Sequence, residues 1–242
     1  MCIVDLKSKN ANFYCWTENQ TGRGSVEIGS ALISFLNKLI IPQDINKLKL
    51  FCDGCGGQNK NSYIVHALIF WLLKNSPKHL LEIILTFPVR GHSYLPADRV
   101  FGRLEKRIKQ HPIIVTKEEY AAHYSNFGKV HMLDEEWKLY NIKNLESSFQ
   151  KVESIQSKKR IIIKKVQVRR KLECHVKTFR YYNYESGTEK FQNLIKKGKN
   201  YQSIKLTELK TGHVISEEKK KDVSKLLSNM YGEEWTSNPD LE

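Results

Sequence analysis

The chain has 242 residues, enough to bury a real core in one domain with an appendage or in two small domains. Its 40% hydrophobic and 27% charged residues, with Trp, Tyr and Phe spread along the sequence, argue against wholesale disorder. The formal charge of +14 points to a polyanionic partner, DNA above all, while the lack of any apolar run of about 18 residues or cleavable leader argues against a membrane protein and for an intracellular, nuclear one.

In chain order, Cys2-Ile-Val-Asp-Leu6 and Asn12-Phe-Tyr-Cys-Trp16 read as two short strands of a hairpin joined by the polar Lys7–Asn10 turn. Ser25 can cap a helix with Ile28, Leu32, Phe35, Leu36 and Leu39 at helical spacing, ending before Pro42. Leu48-Lys-Leu-Phe-Cys52 is a compact strand broken by the glycines that follow Asp53. Asn61 or Ser62 can cap a nearly all-apolar helix through Leu73, which implies deep burial. Leu80–Val89 reads as a central strand, and the next helix carries Asp98, Phe101, Leu104, Glu105 and Ile108. This alternation predicts an α/β fold, one mixed sheet covered by helices on both faces, over residues 1–112.

Residues 113–242 read as a basic α/β extension. Tyr120–Phe127 and Asp134–Leu145 look helical, Ile161–Tyr184 looks like one or two basic strands, and a closing helix over Glu217–Tyr231 is expected to dock back through Val223, Leu226, Leu227 and Met230. Between Lys151 and Lys225 there are 21 Lys and Arg against 8 Asp and Glu, a net +13 that is nearly the whole charge. Lys164, Lys165, Arg169, Arg170 and Lys171, with Lys177 and Arg180, alternate with Phe179, Tyr181, Tyr182 and Tyr184, a composition suited to phosphate contacts and base stacking or to a solvated basic strand pair.

The carboxylates are the candidates for chemistry. Asp53, at the end of a buried strand beside glycines, is placed to present a metal ligand from the carboxyl edge of a sheet. Asp98 and Glu105 are two helical turns apart, about 10.5 Å along the axis, so both cannot easily bind one ion, and Asp98 is the preferred ligand. Phosphoryl transfer on a nucleic acid would use two Mg²⁺ or Mn²⁺ ions about 3.5–4 Å apart. Arg90, His92 and Lys60 lie in the adjoining loops, where they could meet a phosphate. The structural alternative is that Asp53 begins a turn, Asp98 caps a helix, Glu105 pairs with Lys109 and Asn61 caps the apolar helix. Five cysteines, with Cys52 and Cys55 in zinc-knuckle spacing but no second pair, lead us to expect reduced thiols and no zinc.

Three segments, residues 16–28, 53–61 and 91–98, resemble the signatures of an uncharacterised, transposon-derived domain family of animal genomes, and the resemblance extends to 215–222. That family is similar to the RNase H-like fold of DDE transposases and integrases. The resemblance implies that Asp53 is the second acid of a metal-binding triad and that Asp98 or Glu105 is the third. The first acid would lie on a strand before Met1–Leu6, so a core lacking its first strand is expected, with doubtful catalytic competence. Asp5 is one stand-in; Glu27, where RNase H carries a metal-binding glutamate, is another, unless it stabilises the helix dipole. The implied function is that of a domesticated or fragmentary transposase that binds DNA, alone or as a homo-oligomer, with an active Mg²⁺-dependent nuclease as the alternative.

Overall fold

The computed structural model describes residues 1–89, 91, 94–111, 114, 116–168, 171–182, 190–212 and 214–237. In chain order these form β1 (Cys2–Val4), β2 (Ala11–Cys15), α1 (Ser25–Lys38), β3 (Lys47–Phe51), α2 (Ser62–Lys74), β4 (Glu82–Thr86), α3 (Pro96–Ile108), α4 (Lys117–Ser125), β5 (Lys129–Met132), β6 (Arg160–Val168), β7 (Lys171–Phe179), β8 (Gln192–Asn193) and α5 (Glu217–Tyr231), with short 3-10 turns between. The α/β class stands, but the single mixed sheet does not. There are two mixed sheets, of order β1-β2-β5 and β3-β4-β6-β7-β8, because the amino-terminal hairpin and the β3–β4 pair each recruit different later strands.

The chain forms two compact units. The first comprises Met1–Gly22, Pro96–Leu133 and Thr211–Glu242. Here β1 pairs antiparallel with β2, and β2 pairs parallel with β5. Ala11 and Phe13 of β2 bury themselves with Val100 and Leu104 of α3, the i, i+4 pair that forms the helix's apolar stripe. Tyr124 of α4 meets Phe13 edge-on, with ring centres 4.9 Å apart. Gly128 is required where the chain turns into β5, since a Cβ there would stand 2.4 Å from the carbonyl oxygen of Ala11. The expected stripe of α5 is not buried: Val223, Leu226 and Met230 are 46%, 58% and 60% exposed, and the helix has no buried residue.

The second unit comprises Arg23–Leu95 and Asp134–Lys210. The helix α2 is its centre, with ten consecutive buried residues from Ile64 to Leu73, and it packs against α1 and against β4, β6 and β7. Asn61 caps it by accepting the Ile64 N–H at 3.2 Å, as its sequence predicts. Trp71 donates its indole N–H to the Asn37 side chain of α1 at 3.0 Å, so even this buried polar group is satisfied. The cap of α1 is Gly24, one residue before the expected Ser25, and Glu27 accepts its N–H at 2.7 Å. The expected helix over Asp134–Leu145 is absent. Trp137 and Leu139 bury alternate side chains, and the backbone bonds to Thr207 and Leu209 instead of to itself, leaving only a 3-10 turn at Ile142–Ser147.

Candidate functional site

The strand register of the second unit sets the site. Its sheet runs β3 parallel to β4, then β6 and β7 antiparallel, and three rows of residues cross it on one face. They read Lys47, Glu82, Lys164, His175; then Lys49, Ile84, Ile162, Lys177; then Phe51, Thr86, Arg160, Phe179. The intervening residues Ile83, Leu85, Ile161, Ile163, Cys174 and Val176 are buried on the opposite face. That face meets α2, because Lys165, in step with Ile161 and Ile163, donates to the Ser76 hydroxyl and the Pro77 carbonyl just beyond the helix.

The outer face is basic with an apolar floor. Ile84, Ile162 and Phe179 form a buried cluster, around which Lys47, Lys49 and Lys164 are exposed and Arg160 and Lys177 half-buried. Phe51 is 48% exposed, and the Lys177 ammonium lies 4.9 Å from the centre of the Phe179 ring. Glu82 is paired with Lys47 at 3.8 Å, and Glu173 is held by His175 at 2.8 Å.

The lysines expected to meet nucleic acid therefore separate. Lys164 is on the outer face and Lys171 is exposed at the start of β7. Lys165 is turned toward α2, and burial holds its ammonium below the usual lysine range. Lys60 is 6% exposed; it donates to the Gln156 carbonyl at 2.8 Å and lies 5.0 Å from the centre of the Phe87 ring. Tyr182 spends its hydroxyl on the Phe87 carbonyl. Arg90, His92, Arg169, Arg170 and Tyr184 lie outside the described residues. Lys47, Lys49 and Phe51 escaped the sequence reading, although the alternation Lys47-Leu-Lys-Leu-Phe51 carries the period of two that marks one polar face.

Four of the candidate acids, Asp53, Glu27, Asp5 and Glu105, have local hydrogen-bond or ion-pair partners. Asp53 is exposed at the carboxyl end of β3, where one oxygen accepts the Cys55 N–H at 3.3 Å and the Asn59 side-chain amide, closing the glycine turn. The main-chain N–H groups of Gln58, Asn59 and Lys60 all converge on the Cys55 carbonyl. Glu27 is 6% exposed and completes the start of α1. Asp5 accepts the Ser8 hydroxyl at 2.7 Å and the Lys7 N–H at 2.9 Å within the hairpin turn, and the Ser8 bond foremost lowers its pKa. Glu105 is bonded to Lys109 at 2.9 Å, which holds its carboxyl below the usual range, and Asp98 is exposed in the first turn of the same helix. Asp53 and Glu27 belong to the second unit, Asp98 and Glu105 to the first.

Among the described residues no group of three or more His, Cys, Asp or Glu is placed to hold a metal ion. Cys52 and Cys55 do not act as a matched pair either: burial pushes the Cys52 thiol up to about 12, while Cys55 is exposed. No helix among the described residues is long and apolar enough to cross a membrane.

A family model described as a domain of unknown function, DUF7869, matches residues 3–185. The chain belongs to that family. The DUF7869 stretch contains both structural units in part and all three sequence signatures, and it ends before residues 215–222. No curated protein matches the chain, and no solved structure does.

Proposed function

We propose that this DUF7869 protein is a transposase-derived nucleic-acid-binding protein whose outer sheet face, spanning β3, β4, β6 and β7, receives the phosphate backbone of DNA. The observation that carries this reading is the register that puts Lys47, Lys49, Arg160, Lys164 and Lys177 on one face with Phe51 and Phe179. Four strands at about 4.8 Å spacing make a basic surface about 14 Å wide, enough for several phosphates, and the exposed Phe51 offers a flat apolar partner for an unpaired base. Backbone contacts of this kind bind without sequence preference. A DNA partner makes the nucleus the natural compartment.

Descent from an RNase H-like core has one support. That support is the mixed α/β composition, with mixed sheets flanked by helices in the order the resemblance leads one to expect up to α3.

The test is fluorescence anisotropy with a labelled duplex and a labelled single strand across a salt series. Wild-type protein binds with log K falling linearly with log salt, and the double variant Lys164→Ala/Lys177→Ala lowers the slope by about two. No retention of DNA at low salt would reject the reading.

A second reading, a Mg²⁺- or Mn²⁺-dependent strand-cleaving enzyme, draws on the exposure of Asp53 at the carboxyl end of a parallel strand beside a glycine turn. Nicking of supercoiled plasmid by the wild type, Asp53→Asn and Asp98→Asn decides it: equal activity in all three sinks this reading.

A further inference from the structure

A second concentration of positive charge lies at the start of β7 and along the segment that follows β8. A cleft of about 600 Å³ opens between the start of β7 and the segment from Asn193 to Gln202, and Lys171, Lys196, Lys197 and Lys199 line it. Its volume falls within the range of small-molecule sites, about 300–1,000 Å³, and is too small for a duplex.

The cleft is held in shape from three sides. Lys199 donates its N–H to the Lys196 carbonyl at 3.0 Å, closing a four-residue turn with Gly198 at φ +80°, a conformation that glycine adopts without strain. This turn brings Lys196 and Lys199 together. On one flank the Lys196 N–H is bonded to the Ser148 carbonyl at 2.9 Å, and on the other Lys74 of α2 donates to the Gln202 carbonyl at 2.8 Å.

Among the described residues positive charge outweighs negative in the cleft, four lysines against the single carboxylate of Glu173. None of the four ammonium groups has a hydrogen-bond or ion-pair partner among the described residues. The lining carboxylate, Glu173, is bonded to His175. Like charges gathered around a small volume repel one another and lower stability, a cost that a bound polyanion would reverse. Lysine is a compact point charge suited to phosphate oxygens, and Asn193, Asn200 and Gln202 add amides that can meet hydroxyl or base groups.

We propose that this cleft is a binding site for a compact soluble polyphosphate, of the class of a nucleoside triphosphate or a phosphorylated polyol, separate from the DNA-binding face. Three or more phosphates match four cations where a single phosphate leaves most of them unneutralised.

The experiment is isothermal titration calorimetry of the full chain with sodium tripolyphosphate, ATP and inorganic phosphate at low salt, with thermal melts of every variant. Tripolyphosphate and ATP bind one per chain, at least tenfold more tightly than inorganic phosphate. Lys197→Ala/Lys199→Ala weakens tripolyphosphate at least tenfold with an unchanged melting temperature, Lys197→Arg/Lys199→Arg restores most of the affinity, and Lys164→Ala/Lys177→Ala leaves it within twofold. Absence of binding, or equal weakening by the cleft and sheet-face variants, overturns the proposal. So does displacement of bound duplex by tripolyphosphate, which would make the cleft part of the nucleic-acid interface. Because tripolyphosphate is read without DNA present, failure of the wild type to bind DNA leaves this result intact.

Discussion

The Lys60 ammonium donates to the main-chain carbonyl of Gln156 at 2.8 Å, and the Gln156 side-chain amide returns a hydrogen bond to the Lys60 carbonyl at 2.7 Å. This reciprocal pair fastens the glycine turn after β3 to the segment that leads into β6. There is little slack, for a Cβ at Gly56 would stand 2.9 Å from the same Gln156 amide nitrogen. Replacing Lys60 with Ala is expected to lower stability by about 1.5–3 kcal/mol, the usual worth of a buried charge-assisted bond, and to leave DNA affinity unchanged. Urea unfolding and anisotropy check it together; unchanged stability with a reduced salt slope would make Lys60 a phosphate contact instead.

Lys164 and Lys165 are neighbours in sequence on opposite faces of the sheet, so their substitutions are expected to behave differently. Lys164→Ala reduces the salt slope of DNA binding by about one and changes stability by no more than about 0.5 kcal/mol. Lys165→Met leaves DNA binding alone and is neutral or stabilising, because a desolvated ammonium is exchanged for an apolar chain of similar length. Salt titrations and melts of the two variants side by side decide the matter.

His66 is fully buried in α2, with Nε2 2.9 Å from the Gln150 carbonyl and its ring packed on Phe149. Desolvation lowers its pKa below 6.5, outweighing the Gln150 bond and Glu146, which raise it, while Lys196 and Lys151 lower it further. The folded state therefore prefers the neutral ring. Its contribution to stability is complete above pH 6.5 and is lost as the pH falls through the depressed folded value. Melts between pH 7.5 and pH 5 should show this loss in the wild type, and a shallower one in His66→Gln; equal slopes would refute the assignment.

The cysteines are expected to react in a fixed order. Cys55 is exposed, whereas Cys174 is fully buried and burial raises its thiol far above its ordinary value. Cys52 is raised to about 12 by burial first and by the Asp53 charge second. At pH 8 an aromatic disulfide reagent should modify Cys55 before the other two, which release their thiols fully only on unfolding. Mass spectrometry of partly labelled protein identifies the first site, and labelling of Cys174 ahead of Cys55 would contradict the packing.

Much of the local structure was legible in the sequence. Asn61 before an apolar run gave α2, the interval from Cys2 to Trp16 gave the hairpin, and the Ile- and Val-containing run rich in Lys and Arg after Arg160 gave basic strands. What could not be read was which strands share a sheet. Nothing local tells β2 to pair with β5, more than a hundred residues away, or β4 to pair with β6, because such pairing is a long-range choice made by packing. The segment after Asp134 misled for the same reason: Trp137 and Leu139 look helical in a run of polar residues until Thr207 and Leu209 supply the backbone partners. At the site, composition located the basic region but could not tell Lys164 from Lys165, which requires knowing the face each one takes. The acids pose a different problem. Asp53, Glu27, Asp5 and Glu105 each have a local hydrogen-bond role that spacing alone does not distinguish from metal ligation.

The edge strand β3 gives Lys47 and Lys49 a second consequence. An unpaired strand edge is a template on which another chain can add, and charged side chains along it are a common protection against such growth. The same lysines that face DNA in the proposed interface would thus keep the protein monodisperse when no DNA is present. Acetylating them, or neutralising them with an anionic surfactant, should turn a soluble preparation into one that accumulates intermolecular β-structure.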